Sequence, residues 1–188
     1  MKLVRAIAGA LAGAGLIWAA PFVAEATPPS GISFTPIGRA TVPEFDVTRR
    51  FKDGVQTEDN VNGTHEDGQR KDKSWKLKLE ATAPIDVATQ VVTFQPGGFS
   101  GWHTHPGPVF FTVRTGTLTV YEGDDPSCTP LVFPAGTGAV EAGTRTHIHM
   151  VRNETNSLAE AVVTYMVLVG TPQNQLRTDL PNPGNCSF

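Results

Sequence analysis

The chain has 188 residues, of which 39% are hydrophobic and 18% are charged, and its formal net charge is −3. This balance is that of one ordinary globular domain, and it excludes a disordered or fibrous chain. No basic stripe with interleaved aromatic residues occurs, so we expect no nucleic-acid partner.

The first 26 residues have the layout of a signal peptide. Lys2 and Arg5 precede an apolar run over residues 6–20, which is followed by Pro21 and by the small-residue pattern Ala24-Glu-Ala26. This order is typical of an exported protein that is cleaved after the last of these alanines. The apolar run is shorter than the roughly 20 residues needed to span a bilayer. We therefore expect an extracytoplasmic protein with no stable membrane association after cleavage, and a retained anchor is the alternative.

Both cysteines, Cys128 and Cys186, lie in the part that would be exported. An even number of cysteines in an oxidising compartment favours one disulfide bond, and two unpaired thiols are the alternative. The disulfide would tie the C-terminal tail, residues 171–188, to a turn near residue 128. We expect the rest of this tail to wrap the surface.

Residues 27–83 are predicted to form N-terminal strands and a polar loop. Strands are expected over 37–42 and 45–51, and the alternation of apolar and polar residues over 74–80 predicts a half-buried strand. The segment 52–73 is polar and long for a loop, so it is either a flap or contains a short hairpin. His65 lies in this loop. We interpret it as a solvated histidine, with a role as a further ligand as the alternative.

Residues 84–170 are predicted to form the core of the domain, because short β-rich runs alternate with glycine and proline turns. The expected strands are 89–94, 109–113, 117–121, 131–133, 138–141, 146–153 and 159–169, and Gln95-Pro-Gly-Gly98 is expected to be a turn. Helix and strand compete only in the last of these strands, where its valines favour a strand. Many short strands with almost no helix indicate an antiparallel sandwich or barrel.

Four of the five histidines occur in two pairs, His103-Thr-His105 and His147-Ile-His149. Residues two apart on a strand point to the same face, so each pair presents two imidazoles side by side. If the two strands lie opposite each other, up to four imidazoles converge. Imidazole is the commonest metal ligand in proteins, so we predict one divalent metal ion bound by His103, His105, His149 and His147.

The same alternation predicts which side chains share the pocket with the first histidine pair. Val109, Phe111 and Val113 should face inward, whereas their neighbours along the strand should face outward. The wall of the predicted pocket is therefore apolar.

The stretch 98–116 resembles the first signature of the cupins, which contains two histidines one residue apart, an acidic residue and a closing glycine. His103, His105 and Gly116 match this pattern, but Val109 stands where the family usually carries a glutamate ligand. The stretch 134–153 resembles the second signature, in which a histidine is followed four residues later by an asparagine. The resemblance implies an all-β, antiparallel double-stranded β-helix (jelly-roll) barrel.

The resemblance also implies that His149 is the third metal ligand. His147 is then either a fourth ligand in place of the missing glutamate or a nearby acid/base group, and the sequence leaves both open. A site of neutral imidazoles leaves the charge of the ion uncompensated, which favours an anionic substrate. Imidazole ligation suits Fe, Mn, Zn, Ni or Cu, so the identity of the ion is open.

Two functions are compatible with these residues. The first is a secreted metal-binding cupin that acts as a metal-dependent oxidoreductase or dioxygenase on a small oxygen-bearing molecule. The alternative is a non-catalytic cupin that binds a metal or small ligand for storage, sensing or as a scaffold. No catalytic residue is identified. Cupins of this size often form dimers through sheet edges, so we expect a homodimer by analogy only.

Overall fold

The structure is a computed structural model, and it describes residues 25–52, 55–56, 74–143 and 147–188. Most of the predicted signal peptide, most of the 52–73 loop and His65 lie outside the described residues. Within the described ranges the chain forms strands, turns and one short 3₁₀ turn, Gln173–Gln175. No helix in these ranges is long and apolar enough to cross a membrane.

The described residues contain thirteen strands. They are β1 (Ser30–Val42), β2 (Phe45–Lys52), β3 (Val55–Gln56), β4 (Ser74–Ala81), β5 (Ile85–Phe99), β6 (His103–Thr104), β7 (Val109–Thr115), β8 (Thr117–Glu122), β9 (Leu131–Pro134), β10 (Gly138–Glu141), β11 (His149–Arg152), β12 (Ala159–Leu168) and β13 (Thr178–Asp179).

All pairings between these strands are antiparallel. Ten of the strands form one curved sheet, which consists of two runs of five neighbouring strands each. The first run has the order β10-β7-β12-β5-β1, and the second has the order β9-β8-β11-β6-β13. The runs join where Arg152 of β11 pairs with Phe99 of β5. The sheet closes into a nearly complete barrel, so the predicted all-β jelly-roll architecture is confirmed.

The core lies between the two runs and is built from the inward positions of β5, β7 and β12. Burial alternates residue by residue along all three strands. Val109, Phe111 and Val113 are buried, whereas Phe110 and Thr112 between them are exposed, as the alternation predicts. Each large apolar side chain buried in this way contributes about 1.5–3 kcal/mol to folding.

The turn predicted at Gln95–Gly98 is wrong, because β5 continues through these residues to Phe99. Ser30 of β1 pairs with Phe99 and Ile32 pairs with Phe94, so four residues of β5 oppose the single residue Gly31. This is a bulge larger than the usual two residues against one, and a Cβ on Gly98 would lie only 2.5 Å from the carbonyl oxygen of Gly31. The glycines therefore permit a close approach of two backbones rather than a chain reversal.

The N-terminal part contributes a separate three-stranded sheet with the order β3-β2-β4. Phe51 and Lys52 of β2 pair with the two residues of β3, so a short hairpin occupies the start of the predicted polar loop. Trp75 of β4 stacks on Phe51 with ring centroids 4.1 Å apart.

The C-terminal tail takes part in the sheet, which corrects the expectation that it only wraps the surface. A disulfide bond joins Cys128 to Cys186, with 5.3 Å between their Cα atoms, as predicted. Between the core and this disulfide, β13 pairs with β6, the short strand that carries His103. The tail is therefore a structural neighbour of the histidine cluster. Its single pair of strand residues was too short for a periodicity signal in the sequence.

Candidate metal centre

Three histidines meet at the inner face of the second run of strands. His103 is on β6 and pairs directly with His149, the first residue of β11, while His105 follows β6. Ring centroids are 4.3 Å apart for His103 and His149, 4.8 Å for His103 and His105, and 5.2 Å for His105 and His149. One ring nitrogen from each histidine lies within 4.8 Å of the others, and the residues are only 1–5% exposed.

Backbone carbonyls fix the orientation of two of these rings. His105 Nδ1 lies 2.8 Å from the carbonyl oxygen of Leu176, and His103 Nδ1 lies 2.9 Å from that of Gly101. A carbonyl oxygen only accepts, so Nδ1 donates in both bonds and carries the ring proton. The lone pair of each neutral ring is then on Nε2, the tautomer that a histidine needs to bind a metal through Nε2.

A carboxylate that the sequence analysis missed also reaches this cluster. Glu141, the last residue of β10, has its Oε2 atom 3.1 Å from His105 Nε2 and 3.3 Å from His149 Nε2. Its side chain is almost completely buried. The signal was present in the sequence, because the alternation in Gly138-Ala-Val-Glu141 places the acid on the inward face with Ala139. The cupin signature, however, specifies an acid only at position 109, on the neighbouring strand.

The electrostatics of the cluster favour an ionised Glu141 and a neutral His103. Burial alone would raise the pKa of Glu141, but its contacts with His105 and His149 outweigh burial and lower that pKa to about 2. The pKa of His103 lies well below its ordinary value, because burial and repulsion from His149 and Arg177 disfavour the charged ring. These are the protonation states that metal ligands require.

His149 provides the test of whether the cluster fits a metal ion. Both of its ring nitrogens are buried, and neither makes a hydrogen bond within the described part of the chain. A buried polar atom without a partner costs about 1–3 kcal/mol, so such atoms in a folded protein need an explanation. A divalent ion between the three imidazoles would accept the lone pair of His149, and the donor set therefore fits such an ion.

His147, the other predicted ligand, does not enter this cluster. Its Nε2 atom lies 3.6 Å from Glu122, its side chain is a quarter exposed, and its ring centroid is 5.2 Å from that of His149. β11 begins only at His149, so the strand alternation that predicted a shared face does not extend to residue 147.

The cluster forms one end of an inner cavity whose other walls are apolar. About 40 Å³ is open to the centres of water-sized molecules, which is room for roughly three waters. An outer groove of about 520 Å³ shares three lining residues with it: Phe34, Tyr165 and Arg177. These side chains form the boundary between groove and cavity.

The boundary residues are held by polar contacts. Gln90 Nε2 donates to the Tyr165 hydroxyl at 2.7 Å, and burial raises the pKa of this hydroxyl, so it stays protonated at neutral pH. The guanidinium group of Arg177 donates to the carbonyl oxygen of Ser100 at 2.6 Å and pairs with Asp179. The tail thus brings a positive charge to the mouth of the cavity.

Comparison with known proteins gives one family match and a set of similar folds. Residues 90–165 match the family model described as Cupin domain. No curated protein sequence matches the chain.

Among solved structures, an oxalate oxidase is 28% identical over 44% of this chain and 46% of its own, with a TM-score of 0.37. An uncharacterised Klebsiella pneumoniae protein with a double-stranded β-helix domain is 19% identical over 50% of this chain and 73% of its own, with a TM-score of 0.40. The DMSP lyase DddQ from Ruegeria pomeroyi is 17% identical over 49% and 42%, with a TM-score of 0.40. The chain therefore spans less than half the length of the oxalate oxidase that it matches.

Proposed function

The chain belongs to the cupin superfamily, and from this premise we propose that it is an exported metal-binding protein whose ion is held by His103, His105 and His149. The observation that carries the proposal is the convergence of three buried imidazoles, two of which have their Nδ1 protons held by carbonyl oxygens. A chain without a bound cation would gain nothing from burying these nitrogens together.

A divalent ion at this position would supply Lewis-acid chemistry and open coordination positions for an oxygen-bearing ligand. The chain's own residues do the rest. The carbonyls of Gly101 and Leu176 hold two rings in the ligating tautomer, and the apolar walls from β5, β7 and β12 limit access of water. The small cavity restricts the ligand to a few non-hydrogen atoms at the cluster.

We propose that the ligand is a small oxygen-bearing molecule with an anionic end and that the protein oxidises it. The support is the position of Arg177, whose guanidinium group lies between the outer groove and the inner cavity. A guanidinium group can donate hydrogen bonds to an anion even while it pairs with Asp179, and the protonated hydroxyl of Tyr165 beside it can donate another. A non-catalytic cupin that only binds such a ligand is the alternative.

Export rests on the leader sequence and is supported by the disulfide bond, which persists in oxidising compartments. The predicted first residue of the exported chain, Thr27, is well ordered by its contacts. Its hydroxyl donates to the carbonyl oxygen of Leu180, and it accepts from the backbone N–H of Trp102. Expression of the full chain in a secreting host should yield a protein whose N-terminal sequence begins at Thr27. A cytoplasmic protein that retains its leader would contradict the export proposal.

Metal content tests the central proposal. The wild-type protein, purified without chelators or a metal-binding tag, should contain one divalent ion per chain by elemental analysis, or take one up on titration. His103→Ala and His149→Ala should each lose it, whereas His147→Ala, outside the cluster, is the matched control and should retain it. Wild-type protein that is free of metal and cannot be loaded would refute metal binding.

Oxygen consumption separates the two functions. The loaded protein should consume oxygen with at least one member of a panel of diketones, flavonols and thiols, and Arg177→Met should raise the KM for anionic members of that panel. Stoichiometric metal together with ligand binding but no turnover would establish the non-catalytic alternative.

A further inference from the structure

We propose that Glu141 is the fourth metal ligand, so that this chain has moved the carboxylate of the cupin site from its usual strand to the neighbouring one. This inference rests on the proposed metal-binding function, because it concerns the ligands of the same ion. Glu141 takes the position of fourth ligand that the sequence left open for His147.

The register between β7 and β10 shows how the carboxylate can move without leaving the site. Glu141 pairs directly with Val109, the position at which the cupin signature would place its glutamate. Directly paired residues project to the same face with Cβ atoms about 4.5–5.5 Å apart. Both residues are buried, so the two positions offer alternative routes into the same interior space.

The contacts of Glu141 require a proton or a metal ion at this point. The Nδ1 atom of His105 faces a carbonyl oxygen and its Nε2 atom faces the Glu141 carboxylate, so both ring nitrogens face atoms that only accept. A neutral imidazole has one N–H proton and cannot donate to both. This contact is favourable when a proton, carried by the ring or by the carboxyl group, lies between the two atoms, or when both atoms bind a metal ion.

His149 favours the metal ion over a proton. The same Oε2 atom of Glu141 lies close to the Nε2 atoms of both His105 and His149, yet neither ring nitrogen of His149 makes a hydrogen bond to any described residue. A proton joins one hydrogen-bond donor to one acceptor, whereas a metal ion binds the lone pairs of several atoms at once. One oxygen and the imidazole nitrogens therefore face a common point.

The distances agree with shared coordination. Metal–nitrogen and metal–oxygen bonds of about 2.0–2.2 Å place neighbouring ligand atoms about 2.8–3.6 Å apart in octahedral or tetrahedral geometry. The two contacts of Glu141 Oε2, at 3.1 and 3.3 Å, fall in this interval. The equivalent contact of His147 is made with Glu122, on the outer side of the cluster.

Coordination by Glu141 changes the charge of the site. Three neutral imidazoles leave a divalent ion with its full charge, whereas a carboxylate ligand reduces the net charge of the centre to +1. The preference for an anionic ligand that a site without a carboxylate would have is thereby reduced. Arg177, which pairs with Asp179, supplies hydrogen-bond donors at the mouth.

The test compares Glu141→Gln with wild type, and Glu122→Gln serves as the matched control because it removes an acid beside the cluster but outside it. Each protein is titrated with Co²⁺ by calorimetry, and the visible spectrum of the bound ion is recorded. We expect the Glu141 variant to bind at least about 100-fold more weakly and with an altered spectrum, because water replaces a carboxylate ligand. The Glu122 variant should match wild type in both measurements.

Three results would overturn the inference. An affinity of the Glu141 variant within threefold of wild type would exclude ligation, and a weaker affinity with an unchanged Co²⁺ spectrum would make Glu141 a positioning residue. If Glu141→Gln does not fold, a crystal structure of wild-type protein loaded with Mn²⁺ decides, since a carboxylate oxygen more than 3 Å from the ion contradicts the proposal. Wild-type protein that binds no ion would instead refute the metal-binding function itself.

Discussion

The disulfide bond should contribute a large part of the stability of the chain and should also support the histidine cluster. Cys128 and Cys186 are 58 residues apart in the sequence. In the chain-entropy model, closing a loop of this length lowers the entropy of the unfolded chain by an amount worth about 4 kcal/mol. Single domains are stable by only about 5–15 kcal/mol, so this is a substantial fraction.

The effect should reach the site through the tail. Leu176 holds the Nδ1 proton of His105, and β13 pairs with the strand of His103. Both contacts precede Cys186, which anchors the end of the tail in a cluster with Trp102 and Met150. Releasing this anchor should weaken metal binding by about 10-fold, the lower end of the range for lost partners of ligating histidines.

The variant to measure is the double substitution Cys128→Ser and Cys186→Ser, by urea unfolding and thermal melting in the absence of metal. We expect its free energy of unfolding to fall by about 3–4 kcal/mol and its Tm by about 10 °C. Reductant should destabilise the wild-type protein by a similar amount and should leave the variant unchanged. A variant within about 1 kcal/mol of wild type would refute the entropic reasoning, and an unchanged metal affinity would refute the coupling through the tail.

Two further predictions concern buried polar groups. Asp86 accepts hydrogen bonds from Thr41, from the backbone N–H of Gly170 and from Arg39, which lower its pKa to about 2. Because the folded-state pKa lies below the ordinary value near 3.9, the stabilisation is present above about pH 4 and fades as the pH falls toward 2. Asp86→Asn should therefore lower the Tm at pH 7 and converge with wild type near pH 2, and a Tm difference that does not change with pH would contradict this assignment. Asn153, which is 1% exposed, donates from Nδ2 to three carbonyl oxygens around the bulge of β5. Asn153→Ala should cost about 3–5 kcal/mol by chemical denaturation because it leaves these carbonyls unpaired, and a loss below 1 kcal/mol would show that water replaces the amide.

Local periodicity accounts for the parts of the fold that were predicted correctly. Alternation along 109–113 placed three side chains inside, and the valines of 159–169 correctly favoured a strand over a helix. These features depend on residues one or two positions apart, which a sequence displays directly. The histidine pairs belong to the same class of signal.

The expectations for the turn at Gln95–Gly98 and for the tail were wrong because these segments depend on contacts between residues far apart in the chain. Gln95-Pro-Gly-Gly98 has the composition of a turn, but its pairing with β1, more than 60 residues away, holds it as a bulge within a strand. Leu176 contacts His105 from the tail, 71 residues away. Neither contact leaves a periodic trace in the residues that make it.

The sequence alone predicts that His103 and His105 lie on one face of a strand, in an all-β chain that resembles a cupin and lacks the usual acid at position 109. The groups that complete the cluster depend on long-range packing. It selected His149 over His147, because β11 begins at His149 and pairs it with His103. It also brought in Glu141, because the register of β10 on β7 places that carboxylate opposite Val109. The alternation of inward and outward side chains along a strand follows from its own residues. The register between two strands is fixed by the packing of the whole barrel.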